Sequence, residues 1–334
     1  MAVAADDEAD DQEGQVGARG VGEERGRPGI IIGWVAEAPS SVEAVRRSLG
    51  DAGYLAGESA ALVSFLAQRL GKPVLVEGPA GVGKTELAKA ISRGSGRRLV
   101  RLQCYEGLDE AKALYEWNYR KQLLRIQAEA GETPGWEAAR GDIFSEEFLL
   151  ARPLLEAISS SDPVVLLIDE IDKTDQEFEA MLLEVLSDFQ ISIPELGVIS
   201  AATRPVVVLT SNNTRELTEA LKRRCLYLWL DYPEVEREVE IVRLHSPELD
   251  DRLARRLVEV VHMVRQLDLK KPPSIAESID WARALLLLGA EDIDRAIFER
   301  TMSIIVKHRT DIDLVAERVG VKLATPELGA GAAG

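Results

Sequence analysis

The chain contains 334 residues, of which 46% are hydrophobic, so it is long enough to form about two or three domains around a sizeable core. Asp and Glu outnumber Lys and Arg by 57 to 40, which gives a net charge of −17. This acidity argues against nonspecific binding to nucleic acid or to an anionic membrane, so neither is an expected partner.

The sequence shows no targeting signal and no membrane span. Apolar runs stay shorter than the roughly 20 residues that cross a bilayer, and the N-terminus lacks a basic-then-apolar leader. We expect the two cysteines, Cys104 and Cys225, to be buried as small hydrophobic residues. His245, His262 and His308 stand without Cys or carboxylate partners at ligand spacing, so we predict no metal site built on them. A cytoplasmic location fits best.

The N-terminal part divides into a tail and the start of a compact domain. Residues 1–28 are rich in Ala, Gly, Asp and Glu and lack periodic apolar positions, which predicts an acidic disordered tail. Residues 29–232 are predicted to form an α/β domain, which begins with a helix over 58–70 and a strand over 74–76.

A glycine-rich segment, GPAGVGKT, follows this strand directly and precedes a predicted helix over 85–93. This order is typical of a phosphate-binding loop, in which glycines let backbone N–H groups surround a phosphate at the positive end of a helix. Lys84 is then placed to hold the β- and γ-phosphates, and the Thr85 hydroxyl to coordinate Mg²⁺. The predicted nucleotide-binding residues are Gly78, Pro79, Ala80, Gly81, Val82, Gly83, Lys84, Thr85 and Glu86.

The segment between the loop and the next buried strand is predicted to be mostly helical. A strand over 98–104 precedes a long amphipathic helix over 109–130, and a second helix covers 148–158. In the long helix we expect Trp117 and Tyr119 to be packing groups.

A continuous apolar run over 164–168 predicts a strand buried on both faces, and it ends in Asp169 and Glu170. An apolar strand followed by Asp-Glu is the Walker B pattern. Asp169 is placed to bind Mg²⁺ at the strand tip, and Glu170 to orient and deprotonate an attacking water. The carboxylate pair therefore predicts hydrolysis rather than binding alone.

The next elements lead to a second polar strand end. A helix over 178–186 precedes a hairpin over 189–199 and a buried strand over 206–209. Asn212 follows this strand and is a candidate for positioning the water, although it fits a turn or helix cap before a helix over 215–221 equally well. Strands that alternate with helices predict a parallel α/β sheet.

The remaining chain is predicted to form a separate helical domain. Strands stop after residue 232, so we assign 233–320 to a small all-helical lid and 321–334 to a flexible tail. Four amphipathic segments make up the lid, over 234–245, 248–266, 275–288 and 291–308.

The motifs occur in an order that resembles that of AAA+ ATPases over residues 30–310. The glycine-rich loop, the strand ending in Asp169 and Glu170, Asn212, and Leu-Lys-Arg-Arg before Cys225 carry the resemblance. The short hairpin before the Asn212 strand and the helical segment after the second strand resemble the MoxR-type ATPases. The resemblance implies an α/β P-loop NTPase sheet flanked by helices, a small helical lid, and ATP and Mg²⁺ as cofactors.

The resemblance also implies roles for three further residues. Asn212 corresponds to sensor 1, and Arg224, or alternatively Arg223, to an arginine finger that reaches the γ-phosphate held by a neighbouring subunit. Such a finger implies a homo-oligomeric ring, commonly hexameric, because a guanidinium from outside the pocket stabilises the transferred phosphoryl group only after assembly. The two arginines also fit a basic helix end that complements the helix dipole.

One position departs from the MoxR-type pattern. Where Ser-Pro-Arg-Ala-Ser is expected, the chain reads Ser-Ile-Ala-Glu-Ser over 274–278, with Ala276 in place of the sensor 2 arginine. Arg283, Lys270 and Lys271 could supply charge instead, and each also fits a solvated helix face.

The leading hypothesis is an ATP-hydrolysing, MoxR-like protein that remodels or matures a partner protein. The resemblance implies work beside a von Willebrand factor A-domain protein, and the chain looks most like members that help to mature molybdenum hydroxylases of the carbon-monoxide-dehydrogenase type. A P-loop small-molecule kinase and a nucleotide-gated scaffold with little hydrolysis are the alternatives, and the acidity disfavours a nucleic-acid motor.

Overall fold

A computed structural model of the chain describes residues 39–128 and 143–324, with the side chains of 128 and 321–324 excepted. The predicted acidic tail over 1–28 lies outside the described residues. Of the predicted flexible tail over 321–334, residues 321–324 are helical and the others lie outside the described residues too. The domain boundaries therefore stay predictions at both ends.

Short strands form one central sheet and two small two-stranded sheets. Numbered in chain order within the described residues, they are β1 (Val74–Glu77), β2 (Arg98–Gln103), β3 (Tyr115–Trp117), β4 (Leu149–Ala151), β5 (Val164–Asp169), β6 (Gln190–Ile193), β7 (Gly197–Ser200), β8 (Val206–Ser211) and β9 (Leu226–Trp229). The central sheet is parallel and has the order β2-β5-β8-β1-β9. Strands β5 and β8 are buried along their whole length, as their Val, Leu and Ile runs predict.

Helices cover both faces of this sheet and then continue as a separate group. They are α1 (Val42–Asp51), α2 (Glu58–Leu70), α3 (Lys84–Ser95), α4 (Glu110–Ala113), α5 (Tyr119–Ala128), α6 (Pro153–Ile158), α7 (Gln176–Asp188), α8 (Glu219–Arg224), α9 (Val235–His245), α10 (Asp251–Arg265), α11 (Ile275–Leu287), α12 (Arg295–Thr301) and α13 (Arg309–Ala324). No helix among the described residues is long and apolar enough to cross a bilayer.

Alternate side chains of the buried strands supply the two cores of the sheet layer. Val165 and Leu167 face α1, α2 and α3, whereas Leu166 and Ile168 face α6 and α7. The predicted architecture, a parallel sheet flanked by helices and followed by a helical part, is confirmed. Because all five strands are parallel, their carboxyl ends meet at one edge, which is where the functional residues collect.

Helices α9 to α13 pack around a core of their own. Trp281 and Phe298 are fully buried at its centre, with ring centroids 6.1 Å apart in an edge-to-face arrangement. The segment predicted as one helix over 291–308 is instead α12 and a short 3₁₀ turn, and α13 then starts at Arg309. The sequence analysis did not foresee α13, which runs to Ala324.

A buried ion cluster also ties this helical group together. Glu238 is fully buried on α9 and accepts hydrogen bonds from Arg265, from Ser278, and from His262 at 2.9 Å. His262 therefore does contact a carboxylate, which its spacing in the sequence did not reveal. Arg265 also lies over the ring of Tyr232, 4.4 Å from its centroid, and so joins the lid to the chain that leaves the sheet.

The prediction of one continuous helix over 109–130 is wrong, although α4 and α5 are helical, and residues 129–130 lie outside the described residues. Strand β3 interrupts this segment and pairs antiparallel with β4, so the start of the helix predicted over 148–158 is extended as well. Trp117 is buried against Phe144, which confirms its packing role, whereas Tyr119 is 63% exposed and does not pack. Apolar residues at mixed spacings fit a helix and a short strand equally well, and pairing with a distant segment decided the outcome.

The helix predicted over 215–221 begins later, at Glu219. Thr218 caps it, and the buried carboxylate of Glu179 accepts hydrogen bonds from the backbone N–H and the hydroxyl of Thr218 at 2.8 and 2.7 Å. The predicted burial of Cys104 is confirmed, while Cys225 is half-buried against the sheet core.

Candidate nucleotide-binding site

The glycine-rich loop spans residues 78–83 between β1 and α3, and its shape depends on glycine. Gly78, Gly81 and Gly83 all have positive φ, at 151°, 77° and 96°. A methyl group on Gly78 would lie 1.9 Å from the Leu230 carbonyl oxygen, and one on Gly81 would lie 2.1 Å from Cβ of Ser274. The loop is therefore pressed both against the chain after β9 and against the first residues of the lid helix α11.

Lys84 opens α3 and folds back over the loop. Its Nζ donates hydrogen bonds to the carbonyl oxygens of Gly78 and Pro79 at 2.7 and 2.6 Å, and the residue is only 6% exposed. Burial lowers the pKa of Lys84, while the nearby carboxylates of Asp172 and Asp169 act in the opposite direction. The ammonium is thus held next to the backbone that would surround a phosphate.

Asp169 at the tip of β5 connects the loop helix to the sheet. Its Oδ1 accepts hydrogen bonds from the Thr85 hydroxyl at 2.9 Å and from the Thr210 hydroxyl at 2.6 Å. Thr210 lies on β8, the strand between β5 and β1, and is buried. The structure therefore brings Thr85 and Asp169 together, as predicted, and adds Thr210, which the sequence analysis missed.

A guanidinium occupies the other oxygen of the same carboxylate. Arg101 on the neighbouring strand β2 donates to Oδ2 of Asp169 from Nε at 3.1 Å and from Nη2 at 2.5 Å. The sequence analysis did not single out Arg101. The contact follows from the parallel pairing of β2 with β5. This pairing places Gln103 beside Asp169, and Arg101 lies two residues before Gln103 on the same face of β2.

Glu170 directly follows Asp169 and has a strained backbone. Its φ is 60°, in the left-handed region that residues other than glycine seldom adopt, and its N–H donates to the Thr210 hydroxyl at 2.9 Å. Thr210 therefore bonds both members of the acidic pair. Strain of this kind persists where the surroundings fix the residue, and it is common at functional sites.

Asn212 lies at the end of β8, in a segment that Asp172 anchors. The backbone N–H and hydroxyl of Thr214 donate to Asp172 Oδ2 at 3.0 and 2.6 Å. Burial acts to raise the pKa of Asp172, but the hydrogen bonds from Thr214 and from the Asn212 backbone outweigh it and lower the pKa. Asn212 is thereby placed near the acidic strand tip, while its role in positioning water remains a prediction.

Arg223 and Arg224 end α8 with exposed side chains. Neither forms a hydrogen bond or an ion pair with any residue that the structure describes, whereas Lys222 beside them pairs with Glu216 at 3.5 Å. The structure therefore does not bring these arginines to the loop of their own chain. Their suggested role in a neighbouring subunit stays a prediction.

A cavity of about 500 Å³ lies between the loop, the segment before α2 and the lid. Tyr54, Leu55, Ile241, Ile275 and Ala276 are among its lining residues. Burial, with a contribution from the Glu86 carboxylate, raises the pKa of Tyr54 to about 12, so its ring stays neutral. The sequence analysis missed this cavity because its walls come from distant parts of the chain.

The lid touches the loop directly. The backbone N–H of Ile275 donates to the Gly81 carbonyl oxygen at 3.3 Å, and the Tyr232 hydroxyl to that of Ala80 at 3.5 Å. Ala276, at the position expected for a sensor 2 arginine, faces the cavity as a small apolar group.

The basic residues considered as substitutes for sensor 2 have other contacts. Lys271 lies 3.7 Å from the Glu277 carboxylate, and Arg283 lies 3.8 Å from the Asp280 carboxylate. No ion pair or hydrogen bond links Lys270, Lys271 or Arg283 to the glycine-rich loop within the described ranges. A replacement for sensor 2 remains unassigned.

The parallel sheet and the glycine-rich loop between β1 and α3 define a P-loop fold. Residues 74–228 match the model of the ATPase family associated with various cellular activities (AAA). This part of the chain is therefore similar to the AAA ATPase family domain.

Relatives show where the chain is similar to known proteins. Gas vesicle ATPase GvpN of Haloferax mediterranei is 25% identical over 237 residues, which are 68% of this chain and 65% of GvpN. A Lon protease of Rickettsia felis is 30% identical over 194 residues, or 54% of this chain and 22% of that protein. The solved RuvB Holliday junction branch migration motor of Thermotoga maritima has a TM-score of 0.45 at 19% identity, over 73% of this chain and 66% of its own. The chain thus matches just under two thirds of GvpN and less than a quarter of the Lon protease.

The residues present fit a magnesium nucleotide. Mg²⁺ prefers oxygen ligands, and a hydroxyl and a carboxylate oxygen stand 2.9 Å apart at Thr85 and Asp169. The buried Oδ1 of Asp172 has no hydrogen-bond partner among the described residues, which leaves an acceptor for a bound water. Gly78 and Gly81 let the loop pack against Leu230 and Ser274, where a side chain would collide, and so hold its backbone in a turn of the kind that surrounds a phosphate.

We predict that Gly81→Ala weakens nucleotide binding about tenfold or more, because the added methyl collides with Ser274 and forces the lid and loop apart. Equilibrium titration with a fluorescent ATP analogue measures this loss. Gly107→Ala is the matched control, since Gly107 has φ 78° but open space around it, so it carries the same backbone strain without the collision. Equal affinities in the two variants would contradict the prediction.

Proposed function

We propose that this protein is a MoxR-type AAA+ ATPase that assembles into rings and uses ATP hydrolysis to remodel or mature a partner protein. One observation carries the hydrolysis proposal: the Thr85 hydroxyl is bonded to Asp169 at the tip of β5, with Glu170 held beside it by Thr210. This arrangement supports the proposal of a phosphate loop, cation ligands and a candidate base at one sheet edge.

Each residue then has a stated task. Lys84 would exchange its two carbonyl partners for oxygens of the β- and γ-phosphates, a change that its buried ammonium favours once an anion enters. Thr85 and Asp169 would hold Mg²⁺, which supplies charge neutralisation on the phosphate oxygens when bound. The base and sugar would occupy the cavity beside Tyr54 and Ala276.

Glu170 would accept a proton from the attacking water, and Asn212 would orient that water. The left-handed backbone of Glu170 and its N–H bond to Thr210 fix the position of this residue directly after Asp169 at the strand tip. Asn212 is attached to the same region through the anchored segment around Asp172.

The γ-phosphate needs a further positive charge, which Arg224, or Arg223, would supply from a neighbouring copy. Support comes from their exposure and from the lack of partners for them among the described residues. A guanidinium that completes the pocket only after assembly makes hydrolysis depend on the ring, for which we propose six subunits.

We predict that Glu170→Gln binds ATP and assembles like the unaltered chain but loses turnover by about 10²-fold or more, because the amide cannot accept the proton. Phosphate release measured beside nucleotide binding separates the two effects. Turnover in Glu170→Gln equal to that of the unaltered chain would contradict the assignment. Negligible turnover in the unaltered, assembled chain would instead support the nucleotide-gated scaffold.

We predict that mixing Arg224→Ala subunits with Glu170→Gln subunits restores part of the turnover that each variant lacks alone. In a mixed ring, some pockets combine an intact Glu170 with an intact Arg224 from the neighbour. Arg223→Ala, tested in the same way, shows which arginine acts.

Absence of restoration with either arginine variant would indicate a self-contained site. Turnover that needs an added acceptor and does not vary with protein concentration would favour a small-molecule kinase.

The partner proposals rest on the MoxR-type pattern of motifs. We propose a von Willebrand factor A-domain protein as the working partner and a molybdenum hydroxylase as a client. One of the relatives is named as an ATPase of gas vesicles, so proteins similar to this chain serve other assemblies too.

We also propose a cytoplasmic location, which the two free thiols fit because reducing compartments keep cysteines unpaired. Recovery in a membrane or periplasmic fraction would contradict it.

We predict that a molybdenum hydroxylase co-produced with this chain and the A-domain protein acquires a complete metal centre, whereas co-production with Glu170→Gln leaves most of it incomplete. Metal analysis of the purified hydroxylase measures the difference. Equal metal content in both preparations would remove the client proposal while leaving the ATPase proposal intact.

A further inference from the structure

The carboxylate of Asp169 has protein donors on both oxygens. Thr85 and Thr210 donate to Oδ1, and Arg101 donates to Oδ2 through two nitrogens. The Asp169 side chain is only 3% exposed, so its oxygens are accessible from few directions. The guanidinium therefore occupies Oδ2, one of the two carboxylate oxygens that a cation could bind.

Arg101 and a divalent cation are competitors for this carboxylate. A guanidinium bound through two nitrogens is among the strong partners of a carboxylate, and it carries the same sign of charge as the metal. Mg²⁺ or its water shell would need an oxygen of Asp169 while remaining in contact with the Thr85 hydroxyl. The two positive groups cannot share Oδ2, and close approach would cost electrostatic energy.

The structure also provides a place for Arg101 when it leaves. Its side chain is 46% exposed, and Nη2 already donates to the side-chain oxygen of Gln103 on the same strand. Strand β2 is at the edge of the central sheet, with no further described strand beyond it to confine the side chain. Asp169 would keep the two threonine hydroxyls, so departure of Arg101 does not strip the carboxylate of its partners.

We propose that Arg101 is a positioning residue that occupies Asp169 until magnesium arrives, and that its release sets the magnesium concentration at which the site loads. The proposal rests on the proposed nucleotide function. In the absence of the cation, Arg101 neutralises Asp169 and keeps it aligned with Thr85. With the cation present, the guanidinium moves toward Gln103 and solvent. Arg101 is thus a built-in competitor for the metal, acting through Asp169 alone.

The test measures the magnesium requirement of nucleotide binding. A fluorescent ATP analogue is held at fixed concentration in chelator, and MgCl₂ is added to the unaltered chain, to Arg101→Gln and to Arg98→Gln. We expect Arg101→Gln to lower the half-saturating magnesium concentration about tenfold, because the competitor is gone. Binding of the metal-free analogue should change far less.

Arg98→Gln is the matched control. Arg98 lies on the same strand and pairs with exposed Glu156, away from Asp169, so the same substitution should leave the magnesium requirement unchanged. Arg101→Lys is the second variant, since it keeps the charge but offers one nitrogen instead of a fork, and it should fall between the unaltered chain and Arg101→Gln. Thermal melting of each variant verifies the fold.

The possible outcomes separate the two proposals. An unchanged or raised magnesium requirement in folded Arg101→Gln that still binds nucleotide overturns the role of Arg101 and leaves the ATPase proposal standing. If Arg101→Gln does not fold, the same unchanged requirement in Arg101→Lys overturns it. Failure of the unaltered chain to bind the analogue at any magnesium concentration overturns the proposed function itself.

Discussion

The hydrogen bond between Thr85 and Asp169 is the contact on which the site depends. Strand β5, which carries Asp169, is not a neighbour of β1, which leads into the loop, because β8 lies between them. Thr210 on β8 fills this gap by bonding both Asp169 and the backbone of Glu170. With Arg101 of β2 on the other oxygen, strands β2, β5 and β8 and helix α3 are joined at a single carboxylate, and hydrogen bonds in such a buried network reinforce one another.

The sequence was sufficient wherever a signal is local. The glycine loop, the apolar strands and the acidic pair were all predicted, since each is a run of adjacent residues with its own physical requirement. Segment 109–130 failed because its apolar spacing suits two kinds of element, and the choice depended on β4, far along the chain. Tyr119 was assigned to packing together with Trp117, but it begins α5 with an exposed side chain.

The missed site residues share a different cause. Arg101, Thr210 and Asp172 act through neighbours that adjacency in the sheet creates, and strand order cannot be read from any one segment. The cavity beside Tyr54 was missed for the same reason, because its walls come from the sheet layer and the lid. Sequence patterns located the chemistry at the strand tips, whereas the partners that hold each group in place required the fold.

Because the first turn of α11 packs on the loop, the orientation of the lid and the conformation of the loop are coupled. Ser274 caps α11 in a reciprocal pair with Glu277 and packs against Gly81, so the first turn of the helix is a stiff end resting on the loop. Because Trp281 on the same helix is buried in the lid core, a displacement at that end would move the rest of the helical group with it. A loop that changes its conformation around an anion would then shift the whole lid, and α11 would not need to bend.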